Sequence, residues 1–199
     1  MKPLMFALIF VATAGSALAD SCHDRFTELL VEGNQEMGPV RIHITQEIVG
    51  STTSVNYHHS DGEGNGMTEM LEPAESPWSL FLGDKMYMST DKGENWKFIN
   101  SFDAEKSRAD MKSGLTNDAA AATGILCGEE EFDGTSHEVV EGTYASSMLD
   151  GAEIYNKYWV NKQTGWISKS YSHTKSTGFE SKTTQVIESV SDLALPKPE

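Results

Sequence analysis

Asp61-Gly62-Glu63-Gly64-Asn65-Gly66, followed by Glu72, comes nearest in residue type and spacing to a chemical site. Counted from Asp61, side-chain oxygens fall at positions 1, 3 and 5, glycine at 6 and glutamate at 12, the order of an EF-hand calcium loop. Asp61, Glu63, Asn65 and Glu72 are therefore the candidate metal ligands. Strand-like segments flank the loop, however, and Thr68 stands where such loops carry a large apolar residue. A polar, glycine-rich turn between two strands accounts for the same letters, and no metal or other cofactor is expected. His58-His59 beside Asp61 is a second possible ligand pair. Neighbouring strand residues point to opposite faces, so the two imidazoles do not converge on one ion.

The remaining reactive residues point away from catalysis. No GxSxG, SxxK or catalytic-cysteine context occurs. Carboxylates are abundant, Glu129-Glu130-Glu131 among them, but abundance does not define a paired acid and base. The protein is expected not to be an enzyme. Two cysteines are present, Cys22 and Cys127, with no CxxC spacing. In an oxidising compartment such a pair is expected to form a disulfide.

That compartment is suggested by the first residues. Lys2 precedes an apolar run from Leu4 to Ala14, and Ala17-Leu18-Ala19 fits a small-x-small cleavage site, the pattern of a signal peptide over residues 1–19. The run is too short for a membrane anchor, so no stable membrane insertion is expected. Residues 20–199 then form a single soluble domain, periplasmic or secreted. Lysine and arginine number 15 against 30 aspartates and glutamates, a net charge of −15. So acidic a chain lacks the basic face that nucleic-acid binding requires.

The elements that must position any site are short. Phe26, Leu29 and Leu30 lie at helical spacing between Asp20 and Gly33. From Val40 the period changes to two: Val40, Ile42, Ile44 and Ile48 alternate with polar residues. Strand-like runs follow over 52–59, 67–72, 79–82, 85–90 and 96–100, punctuated by turns at 83–84 and 91–94. Residues 103–125 favour helix, with Gly114 expected to separate two short pieces. Strands resume over 126–132, 137–145, 153–160 and 166–173, and a last run ends near Ser191. This order predicts an α+β domain with one large antiparallel sheet whose covered face the two helical segments must supply.

Methionines and aromatics then stand out as contact residues, Met86 and Met88 sharing one strand face. They suit either an ordinary core or a pocket of adaptable side chains for an acyl chain or apolar peptide. Three segments resemble the periplasmic lipoprotein-carrier superfamily, the LolA-like and LolB-like half-barrels: Asp84-Lys85-Met86-Tyr87-Met88 through Gly93-Glu94-Asn95-Trp96-Lys97, Leu126-Cys127-Gly128-Glu129 through Asp133-Gly134, and Tyr158-Trp159-Val160-Asn161 through Gly165-Trp166. The resemblance implies a strongly curved half-barrel wrapped around short helices, with an apolar cavity that needs no cofactor. It makes the chain a divergent relative that binds or carries an apolar ligand, a lipid or lipidated protein, without catalysis. Ile42, Ile44, Met70, Met86, Met88, Trp96, Phe98 and Trp159 are the residues expected to line the cavity. The alternative is a structural or interaction protein of the cell envelope whose core is filled.

Overall fold

The computed structural model describes residues 15–34 and 38–198. Most of the expected signal segment, residues 1–14, lies outside the described residues. Helix α1 spans Gly15–Val31 and thus runs through Asp20 without a break. Six strands follow: β1 (Val40–Ile48), β2 (Thr53–Ser60), β3 (Gly66–Glu72), β4 (Trp78–Leu82), β5 (Lys85–Ser89) and β6 (Lys97–Ser101). Helix α2 (Ala104–Ala120) leads to five more: β7 (Thr123–Phe132), β8 (Thr135–Ser146), β9 (Ala152–Asn161), β10 (Ile167–Ser176) and β11 (Phe179–Ser189).

All eleven strands form one sheet in the order β6-β5-β4-β3-β2-β1-β11-β10-β9-β8-β7. Each arm, β1–β6 and β7–β11, is an antiparallel meander, and the arms meet at the β1–β11 pair. Helix α2 joins the two outer edges. Eleven strands laid flat would span roughly 48 Å, whereas the 17 residues of α2 cover about 25 Å. The sheet must therefore curl to let so short a helix connect its edges. This is the half-barrel expected from the sequence.

The register identifies one continuous helix-covered face. Val140, Tyr158, Ser170, Gln185, Ile44, Asn56 and Met70 lie directly opposite one another across both arms. Over β8–β10 this face is filled. Phe26 and Leu29 of α1 pack with Val140, Tyr144, Ile154, Tyr158, Val160 and Ile167. Cys22, Phe26, Leu29 and Leu30 follow helical spacing, so one stripe of α1 carries both the core contacts and the disulfide. A Cβ at Gly142 would stand 2.9 Å from the Phe26 ring, so glycine lets the helix sit close to β8. The Cys22–Cys127 disulfide, with Cα atoms 5.9 Å apart, ties α1 to β7 across a separation of 105 residues. In the chain-entropy account a loop of that length contributes up to ~4–5 kcal/mol.

Helix α2 is continuous through Gly114, contrary to the break expected there. Met148 explains the glycine: its Cγ and Sδ lie 3.1 Å from where a Cβ would be. The close approach of the β8–β9 loop compensates for the roughly 1 kcal/mol that a helical glycine costs. Asp103 caps the helix by accepting a 2.8 Å hydrogen bond from Lys106 N–H. Asp118, buried near the other end, accepts from Ser147 N–H at 3.0 Å.

Candidate functional site

The covered face of β1–β6 is packed differently. Ile42, Ile44, Met70, Met86 and Met88 occur on it, each only partly buried. The helix above it is anchored at one end alone. Gly114, Leu115, Asp118 and Ala119 of α2 are partly or wholly buried, whereas nearly all of 104–113 is exposed. Its main packing partners are α1 and β8, not the strands of this arm. Ala104, Ser107, Arg108 and Met111 recur at helical spacing on the side facing the sheet, and Met111 keeps 54% of its surface exposed. The first half of α2 therefore stands off from the sheet and leaves space beneath it.

Three connected hollows occupy that space. A cavity of about 720 Å³ lies where the arms meet, walled by Leu29, Leu30, Val40, Ile42, Tyr158 and Ile187 with polar groups between them. A mostly apolar hollow of about 370 Å³ lies under the first half of α2, against His58, Phe81, Phe102 and Met111. Phe81 and Phe102 meet edge to face at 6.0 Å. A third, of about 410 Å³, is mixed in lining and opens at the rim, where Glu63, Asp84, Asp103 and Glu105 gather. Gly64 and Arg108 border all three.

The rim loop is held by its own hydrogen bonds. Asp61 accepts from Glu63 N–H at 2.7 Å, Asn65 N–H at 3.1 Å and the Asn65 side-chain amide at 2.6 Å. Asn65 in turn accepts from Gly83 N–H at 2.7 Å, joining this loop to the β4–β5 turn. Partial burial works against the Asp61 charge, but the Asn65 side chain and the backbone donors outweigh it, and its pKa falls below the ordinary carboxylate value. The calcium-like letters thus spell a hydrogen-bonded turn. Glu72, at the far end of β3, lies roughly 20 Å from the loop along the strand, so Asp61, Glu63 and Asn65 are brought together without it. Among the described residues no group of three or more His, Cys, Asp or Glu side chains is placed to hold a metal ion.

His58 and His59 face opposite ways. His58 borders the apolar hollow and lies 3.3 Å from Thr68 Oγ1, and burial, then the charge of His59, lowers its pKa. His59 contacts Glu69 at 3.2 Å on the outer face. Arg108 is set apart by its company. Of the three arginines, Arg25 pairs with Glu28 and Glu138 and Arg41 with Glu188, while Arg108 makes no ion pair with a described residue. A Cβ at Gly64 would stand 3.2 Å from its Nη1. On the inner face Asn56 Oδ1, between Ile44 and Met70, is buried and accepts no hydrogen bond from a described residue.

Of the eight residues expected to line a cavity, Ile42 borders a hollow described above, Ile44, Met70, Met86 and Met88 share its sheet face without bordering these three hollows, and three lie elsewhere. Phe98 pairs with Tyr87 and is 51% exposed on the opposite face of the sheet. Trp96 stands beside Trp78 across Gly93, on that same opposite face. Trp159 also faces outward, its Nε1 donating to Glu130 at 2.8 Å with Lys157 and Lys169 over its ring. Sequence reasoning missed Arg108 and Phe102. The available signal was the helical spacing of Ala104, Ser107, Arg108 and Met111.

No protein family matches the chain by sequence, and no curated protein does either. Among solved structures, it resembles a LolA superfamily protein from Nitrosomonas europaea at 12% identity, covering 88% of this chain and 94% of that one, with a TM-score of 0.35. It also resembles the Pseudomonas aeruginosa MucA/MucB complex at 16% identity, covering 88% of this chain but 58% of the matched chain, with a TM-score of 0.46. The chain is similar to LolA-like half-barrels. These are low-identity likenesses of fold. No described helix is long and apolar enough to cross a membrane.

Proposed function

We propose that this is a non-catalytic periplasmic binding or carrier protein that holds an apolar ligand, a lipid or lipidated partner, between α2 and the inner face of β1–β6. One observation carries the reading: an apolar sheet face roofed by a helix that does not pack onto it. Such a face in water is unfavourable by about 25 cal/mol per Å² of apolar area, and an acyl chain in the hollow removes that penalty without any chemical step. Ile42, which walls the central cavity, and Ile44, Met70, Met86 and Met88 on the same face are the contact residues that this reading retains.

The test is native mass spectrometry, with organic extraction, of protein purified from its own periplasm. A co-purifying phospholipid, fatty acid or lipopeptide is expected. A protein that emerges empty and ignores added fluorescent lipid would overturn the proposal. It would favour an interaction protein working through the free β6 edge, where Phe98 and Ile99 are exposed.

A further inference from the structure

The three hollows differ in character and share one wall, and that arrangement describes a ligand. The hollow under α2 is mostly apolar, the central one mixes apolar and polar groups, the rim one is mixed and ringed by carboxylates, and Arg108 borders all three. In a protein of net charge −15, Arg108 pairs with no carboxylate among the described residues, and its guanidinium suits an anionic oxygen pair. The groups around the rim hollow have the opposite sign: Glu63, Asp84, Asp103 and Glu105. A simple anion would gain Arg108 and face four carboxylates. A cation would gain the carboxylates and meet Arg108. A zwitterion, with its negative group at the junction and its positive group toward the rim, is complementary to both.

Resting on the binding function proposed above, we infer that the ligand is a zwitterionic diacyl phospholipid of the phosphatidylethanolamine type. Its phosphate pairs with Arg108, where the hollows meet. Its ammonium lies among the rim carboxylates, and its two chains occupy the other two hollows. Branching at the glycerol places the two chains and the headgroup around one point, as the hollows are placed around Arg108. Gly64 serves the same junction, because a side chain there would crowd Nη1. Asp103 already accepts from Lys106 N–H, which leaves Glu63, Asp84 and Glu105 as the principal partners of the ammonium.

The experiment incubates purified protein with vesicles of equal parts phosphatidylethanolamine, phosphatidylglycerol and diacylglycerol, then reads the retained lipid by native mass spectrometry. Phosphatidylethanolamine is expected to exceed phosphatidylglycerol by at least about tenfold, the size of one charge-assisted contact. Arg108→Gln is expected to erase that preference by lowering phosphatidylethanolamine retention about tenfold. Circular dichroism confirms that the variant is folded. Equal or greater retention of phosphatidylglycerol, or an unchanged preference in Arg108→Gln, would overturn the inference while leaving the hollow as a lipid site. Retention of none of the three, diacylglycerol included, would remove the binding function itself and this inference with it.

Discussion

Strands β8–β10 fill their inner face under α1, whereas strands β1–β6 present theirs to a helix anchored by its far end. The first arm holds most of the fully buried apolar side chains: Val140, Tyr144, Ile154, Tyr158, Val160 and Ile167, with Phe26 of α1 at their centre. The second arm has comparable residues on the same face, yet Ile42, Ile44, Met70, Phe81, Met86 and Met88 remain only partly buried. Its fully buried apolar side chains are Val40, at the seam between the arms, and Leu80, which faces the other way. An apolar sheet face must be covered; the chain itself covers one half, and under the proposed function a ligand covers the other. The disulfide reinforces the division, since it fastens α1 to the filled arm.

The largest expected effect separates the arms by stability. Phe26→Ala should cost about 3–5 kcal/mol, the usual range for a fully buried aromatic, read as a lowered urea midpoint. Phe81→Ala should cost less than about half of that, because its ring borders an open hollow. Equal losses would break the comparison. Next in size is the disulfide. Replacing Cys22 and Cys127 together with serine should lower unfolding free energy by about 2–4 kcal/mol, and amide exchange should rise first in α1 and β7.

A smaller effect sharpens the contrast between two turns of like design. Asp91 accepts from Asn95 N–H and the Asn95 amide as Asp61 does from Asn65, and Ser89 Oγ donates to it as well. The Asn95 side chain, then its backbone N–H, then Ser89 hold the Asp91 pKa down to about 2, against 3.8 unperturbed. A depressed folded-state pKa means the unfolded chain binds the proton more readily. The stabilisation from Asp91 is therefore present above about pH 4 and lost as pH falls toward 2. Asp91→Asn should flatten the stability–pH curve in that window, and an unchanged curve would remove the clasp from the account.

Much of this was legible in the amino-acid order. Strand alternation and turn residues located all eleven strands approximately, because each half-buried strand repeats with a period of two. Two lone cysteines sufficed for the disulfide, and His58 and His59 fall on opposite faces as alternation requires. Alternation does not say which face is covered. Strands β4 and β5 are apolar on both sides, Leu80 and Tyr87 against Phe81 and Met86, so the position of Phe98 could not be read from its own strand. Trp159 is outward, with Lys157 of its own strand over the ring and Lys169 and Glu130 reaching it from β10 and β7, contacts that tertiary structure completes. Gly114 reads as a helix break until Met148, 34 residues away, is brought against it. The role of Arg108 depends on which carboxylates do not reach it, and no local pattern records that.

The most direct test of the division places the same charge in each arm. Ile42→Asp and Ile154→Asp should be compared by urea denaturation and by lipid retention in native mass spectrometry. Ile154 sits in the filled core, and an uncompensated carboxylate there should prevent folding. Ile42 borders the open cavity, so its variant should fold cooperatively and retain no lipid. A globally unfolded Ile42→Asp would show that the second arm is filled like the first, and would contradict the account.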